Sequence, residues 1–81
     1  MMVRVKLFAL AAQLAADDEL EVRLDGGRSI ADLRRAIVEK CPALANIMPH
    51  LMFAINSEYA ADSTQVPESA EIACIPPVSG G

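Results

Sequence analysis

Tryptophan is absent from these 81 residues, and only Phe8, Phe53 and Tyr59 carry aromatic rings. His50 is the single histidine, and the two cysteines, Cys41 and Cys74, stand far apart in the chain. No Lys or Arg follows Lys40, and no apolar run approaches the ~18–20 residues of a membrane span. Each shortage excludes a class of function. Zinc sites need clustered Cys and His, and a disulfide framework needs more Cys than two. A Cys–His nucleophile needs a histidine near its thiol. Nucleic-acid binders need a basic face, whereas this chain carries a net charge of −4 with a pI of about 4.7. Gly26-Gly27 is two glycines, not a phosphate-cradling loop. Metal chemistry, nucleic acid and membrane therefore leave the field together.

What is present is a folding sequence. Apolar residues make up 53% of it, too many for a disordered tail. A domain of this length buries only roughly 60% of its unfolded surface, so most side chains serve one core and a docking or carrier role fits best. Cys41 and Cys74 sit in apolar sequence and read as small core residues, which suits a reducing cytoplasm. Arg4 and Lys6 ahead of the apolar stretch 7–16 have the look of a secretory signal. Val3, Val5 and Leu7 alternate with them, however, as in a half-buried strand. All seven basic residues lie in 1–40, balanced by seven acids. Glu58, Asp62, Glu68 and Glu71 stand alone in the second half, as a solvated surface or as a face for a basic partner.

The hydrophobic pattern gives an order of elements. A strand runs from Met2 to Phe8 with Val3, Val5 and Leu7 inward, and a helical turn using Leu10 and Leu14 follows. Glu19 to Asp25 alternates as a second strand, closed by Asp25-Gly26-Gly27. Ser29 caps a helix whose apolar stripe is Ile30, Leu33, Ile37 and Cys41, and Pro42 ends it. A looser turn through Leu44 and Ile47 precedes Leu51 to Asn56, which reads as a strand buried on both faces. A short strand around Tyr59 and a last strand from Glu71 to Ile75 complete the chain. This is the order of an α+β, ubiquitin-like β-grasp: a mixed sheet of four to five strands packed on one main helix. A ferredoxin-like arrangement would need a second long helix. Residues 1–77 form the domain, and 78–81 a flexible C-terminal Gly-Gly tail.

The end of the chain carries the chemistry. Pro76-Pro77 fixes an extended exit from the sheet, holding Val78-Ser79-Gly80-Gly81 away from the body. Glycines let the backbone enter a narrow channel and deliver the Gly81 carboxylate to its end. A carboxylate is a poor acyl donor until joined to AMP. Sulfur can then displace the AMP to give a thiocarboxylate, or an amine to give an amide. On the first and last strands Phe8 and Ile75 point outward, and adjacent strands would join them in one apolar patch at the root of the tail.

The ending Pro76-Pro77-Val78-Ser79-Gly80-Gly81, the opening Val3-Arg4-Val5-Lys6-Leu7-Phe8-Ala9 and the central Ala54-Ile55-Asn56-Ser57-Glu58-Tyr59 resemble the small subunit of molybdopterin synthase, the MoaD type. The resemblance covers essentially the whole chain. It implies a sulfur-donor subunit that is not catalytic alone. Gly81 is then the catalytic residue, first a glycyl adenylate and then a thioglycine, and Pro76 to Gly80 insert into the large subunit (the MoaE type). Phe8 and Ile75 become the partner interface. No cofactor is bound; ATP is used by a partner adenylyltransferase resembling ubiquitin-activating enzymes (the MoeB type). The sulfur goes to cyclic pyranopterin monophosphate in molybdenum cofactor biosynthesis, within a heterotetramer. Ala12 stands where many members have Arg, and Glu68-Ser69-Ala70-Glu71 where Asp-Gly-Asp-Glu is frequent. The alternatives are a ubiquitin-like protein modifier and a sulfur carrier for another pathway, such as thiazole synthesis.

Overall fold

The computed structural model describes residues 1–76. Five strands form one sheet: β1 (Met2–Leu7), β2 (Glu19–Arg23), β3 (Met52–Ile55), β4 (Glu58–Ala60) and β5 (Ile72–Ile75). Their spatial order is β2-β1-β5-β3-β4. Helix α1 (Ala9–Ala15) follows β1, and α2 (Ile30–Lys40) crosses between the two halves of the sheet. Two single 3₁₀ turns, Pro42–Leu44 and Met48–His50, lead from α2 into β3. This is the β-grasp order expected from the sequence. The expected boundary at 78 lies outside the described residues.

Alternation sets which way each strand faces. Val3, Val5 and Leu7 of β1 are buried, as are Ile72 and Cys74 of β5 and Phe53 of β3. They pack with Ile30, Leu33 and Ile37 of α2, whose three- and four-residue spacing makes one stripe. Leu44, Leu51 and Val66 close the ends of this core. Truncating one such side chain to Ala costs about 2–5 kcal/mol.

Helix α2 starts where it does because its first turn is fully satisfied. The Ser29 backbone N–H donates to Asp32 Oδ2 at 3.0 Å, and the Asp32 N–H donates to Ser29 Oγ at 3.1 Å, a reciprocal capping box. The N–H groups of Ile30 and Ala31 donate to the carbonyls of Thr64 and Asp62, at 2.9 and 3.0 Å. The loop before β5 therefore covers the helix start. Gly27 belongs to the same cluster, because a Cβ there would overlap the Asp32 carboxylate. Arg34 fastens the other flank. Its Nε donates to Asp62 Oδ1 at 3.0 Å, its Nη1 to the Met48 carbonyl at 2.7 Å, and its guanidinium lies 4.9 Å from the Phe53 ring centre.

The expected helical turn using Leu10 and Leu14 is α1, in which both leucines are exposed and Ala11 is buried, with Ala12 and Ala15 partly covered. The chain enters α1 through a left-handed residue, Ala9 at φ 52°, which turns the alanine stripe inward and the leucines out. Small side chains also let this short helix approach the sheet edge closely. One expectation needs correction, that residues 51–56 are covered on both faces throughout. Phe53 on the inner face and Ala54 on the outer are both buried, but Met52, which shares the outer face with Ala54, is 42% exposed, so that face opens at Met52.

The β3–β4 turn is the two-residue loop Asn56-Ser57, with φ of 50° and 72°. That is the left-handed pair a tight hairpin requires. Asn56 tolerates it and also clamps the start of β5: its N–H donates to the Glu71 carbonyl at 2.8 Å, and its Oδ1 accepts from the Glu71 N–H at 2.9 Å. Ser57 has no such compensation. Ser57→Gly is expected to stabilise the domain by about 1 kcal/mol, read as a higher denaturant midpoint at an unchanged slope.

Asp32 gives a pH dependence. The Ser29 backbone N–H holds its carboxyl below the ordinary value of 3.8, the Ser29 hydroxyl and Arg35 reinforce the shift, and partial desolvation opposes it. A depressed folded value means the contribution is present above the unfolded value and lost as pH falls through the folded one. Asp32→Asn should therefore lower the denaturant midpoint at neutral pH. The gap to the parent should close as both are titrated below the ordinary carboxylate value.

Candidate functional site

The outer face of the sheet, away from α2, is built by the residues that alternate with the core. Directly paired residues share a face, so the register places them in rows. Ile75 pairs with Met52, and Phe8 directly follows Leu7, which pairs with Cys74. Phe8 continues β1 in extended backbone, at φ −129° and ψ 153°, so it stands beside Ile75. The result is one apolar row, Phe8–Ile75–Met52, across three strands. The next row runs Lys6–Ala73–Ala54–Tyr59. Phe8 is 47% exposed and Tyr59 63% exposed, while Ile75 is half-buried between its neighbours. Exposed aromatic and aliphatic side chains in adjoining rows mark a protein-binding surface.

Beyond this apolar part the same face becomes charged. A groove of about 430 Å³ runs between β1, β2 and the loop before β5, lined by Arg4, Lys6, Glu19, Glu21 and Glu71 among others. Arg4 bridges both β2 carboxylates, at 3.4 Å to Glu19 and 3.4 Å to Glu21. Ser69, in the loop that walls the groove, has φ 60°. That left-handed turn is what a glycine would adopt freely.

Of the residues singled out from the sequence, Phe8 and Ile75 come together as expected. Pro76 leaves β5 immediately after Ile75, at the edge of the apolar row. Pro77, Val78, Ser79, Gly80 and Gly81 lie outside the described residues. Met52 and Tyr59 were missed. Their signal was the register itself: once β5 pairs antiparallel with β3, Met52 must share the face of Ile75. His50 is exposed, and no cluster of His, Cys, Asp and Glu able to hold a metal occurs among the described residues.

The thiols take no part in this face. Cys74 points into the core, and burial pushes its thiol up to about 11, with Arg34 opposing weakly. It is a neutral hydrophobe at physiological pH, not a nucleophile. Cys41, at the end of α2, is partly exposed and free. A disulfide-exchange reagent at mildly alkaline pH should therefore titrate Cys41 alone in the native protein, and Cys74 only after denaturant is added. Equal rates for both thiols would show that β5 opens readily.

Known proteins resemble this chain in sequence and fold. The molybdopterin synthase sulfur carrier subunit of Caenorhabditis briggsae is 41% identical over 98% of this chain and 96% of its own length. Small archaeal modifier protein 1 of Haloferax volcanii is 33% identical over 94% of this chain and 97% of its own. The crystal structure of that modifier superposes with a TM-score of 0.84 at 31% identity, covering 100% of both chains. A complex of subunits 1 and 2 of molybdopterin-converting factor from Helicobacter pylori contains the same fold, with a TM-score of 0.68 at 23% identity over 100% of both chains. Residues 5–81 match the ThiS family, and with that match over nearly its whole length the chain belongs to the ThiS family.

Proposed function

We propose that this chain is the sulfur-carrier small subunit of a molybdopterin synthase. The observation that carries the reading is the exposed row Phe8–Ile75–Met52, which ends where Pro76 leads into Pro77-Val78-Ser79-Gly80-Gly81. A partner that covers this row receives the tail at its border. Relatives named as sulfur carrier subunits, matched over 98–100% of this chain and 82–100% of their own length, support the choice of partner and pathway.

The chemistry follows from the carboxylate. An activating enzyme of the MoeB type joins the Gly81 carboxylate to the α-phosphate of ATP and releases pyrophosphate. A sulfur nucleophile displaces AMP and leaves a thiocarboxylate. With the small domain docked on the MoaE-type large subunit, the tail presents that sulfur to cyclic pyranopterin monophosphate and returns to a carboxylate, and two such transfers supply the two sulfurs of the dithiolene. The domain itself contributes the docking face and the tail. The reactive groups are supplied by partners, which accords with the scarcity of His and accessible Cys.

The test is the intact mass of the chain after incubation with the activating enzyme, ATP and a sulfur source. The expected gain equals exchange of one oxygen for one sulfur, and it should vanish when Gly81 is deleted. An unmodified mass with every component active would sink the reading. The relation to small archaeal modifier protein 1 favours a second one, in which Gly81 becomes amide-linked to lysines of other proteins. Isopeptide-linked species of higher mass in cells, lost on deletion of Gly81, would support it.

A further inference from the structure

We infer that Lys6 is a specificity residue of the docking face and meets an Asp or Glu side chain of the large subunit. The inference rests on the docking role proposed above. Its starting point is an imbalance between two adjacent cations. Lys6 lies directly opposite Glu19 in the β1–β2 register, and Arg4 opposite Glu21. One ion pair each would be the simplest arrangement. Instead the Arg4 guanidinium reaches diagonally and takes both carboxylates. Among the described residues the Lys6 ammonium makes no ion pair and donates no hydrogen bond. Its other strand neighbour is Ala73, which offers no polar atom beyond the backbone.

The position of this unpaired ammonium matters more than its presence. Lys6 is on the outer face, next to Ala73 and one row from Phe8–Ile75–Met52. A partner broad enough to bury that apolar row also strips water from Lys6. An ammonium desolvated without a counter-charge opposes binding more strongly than a methylene stem favours it. A partner carrying a carboxylate at that point is accepted, and one presenting an apolar or basic surface there is rejected. No carboxylate of the groove pairs with Lys6 among the described residues: Glu19 and Glu21 bridge to Arg4, and Glu71 makes no ion pair with it, so the counter-charge is left to the partner. Lys6 is thus the charged element of an otherwise apolar contact, setting which large subunit is recognised while Phe8, Ile75 and Met52 supply most of the buried area.

The test measures the dissociation constant of the full chain for the large subunit from the same source, at low and at moderate salt. Lys6→Met keeps the stem and removes the charge. Lys6→Glu reverses it. Lys40→Met, at the end of α2 and away from the sheet face, makes the same change in net charge as Lys6→Met. Lys6→Met should weaken binding roughly tenfold at low salt and flatten its salt dependence, with Lys6→Glu weaker still and Lys40→Met near the parent. Lys6→Met and Lys40→Met should melt with the parent, since Lys6 holds nothing in the free domain, whereas Lys6→Glu sets a like charge opposite Glu19 and should melt somewhat lower. A zero-length carbodiimide cross-link should join Lys6 to one Asp or Glu of the large subunit, located by peptide mass. If Lys6→Met binds as tightly as the parent with the same salt slope, the ammonium reaches water past the partner and the inference is overturned. Phe8→Asp separates the two levels. A parent that binds and a Phe8→Asp variant that does not uphold the docking role whatever Lys6 does, whereas a parent that never binds removes both.

Discussion

The parallel pairing of β1 with β5 is the contact on which the rest of the molecule depends. Val5 aligns with Ile72 and Leu7 with Cys74, so the first and last strands lie side by side in the middle of the sheet. Parallel neighbours need a long crossover, and here nearly the whole chain serves as one. The cost of closing that loop falls on the folding reaction before the pairing rewards it. In return, β2 attaches to the free edge of β1, and the β3–β4 hairpin to the free edge of β5. The Asn56 clamp on Glu71 then fixes where β5 begins. A slip of one residue in β5 would turn Ile72 and Cys74 outward and bury Ile75. The core and the apolar row are therefore set by the same register.

That register also explains how so small a domain keeps one sheet face available for docking. Inward residues of β1, β3 and β5 are consumed by the contact with α2, and burial makes Cys74 chemically silent. The outward residues are free of structural duty. The capping box lies at a helix end, the Asn56 clamp at a turn, and the Arg34 bridge on the flank of α2, where they fix the frame without occupying the outer sheet face. What remains among the described residues is an exposed sheet face, which suits the docking role proposed above.

Most of this architecture was legible because alternation is a local signal. Val3-Val5-Leu7, Leu20-Val22-Leu24 and the Ile30-Leu33-Ile37 stripe each state their own inward face, and Ser29, Gly26 and Pro42 mark the boundaries. The pair Phe8 and Ile75 followed from the same counting once the strands were placed side by side. What escaped depended on distant partners. Continuous apolar sequence at 51–56 does not say which side is covered, and the open side of Met52 is decided by Ile75 across the β3–β5 pairing. The outward leucines of α1 escaped for another reason. A left-handed Ala9 rotates the helix, and alanine gives no sequence cue for that conformation. Ser69 is an intermediate case. Serine stands in its turn where glycine is frequent in the family, and the backbone adopts the left-handed conformation with serine in place. The cost of the replacement thus falls on stability, not on shape.

The outer face divides its labour along the strands. Near the chain exit it is apolar, and apolar contact is tolerant of partners. Toward the groove it is charged, and charge discriminates. A carrier in the proposed role must visit an activating enzyme and then a synthase subunit, and must leave both. A large, wholly apolar interface would hold the first partner too long, and a wholly charged one would be weak and salt-screened. A few exposed apolar side chains bordered by one uncompensated cation offer a contact that forms readily, releases, and still reads its partner. Arg4 is what leaves that cation uncompensated: by holding Glu19 and Glu21 together, it keeps the two carboxylates nearest Lys6 from neutralising it. The arrangement of charges on β1 and β2 is then part of the docking face, although neither glutamate needs to touch a partner.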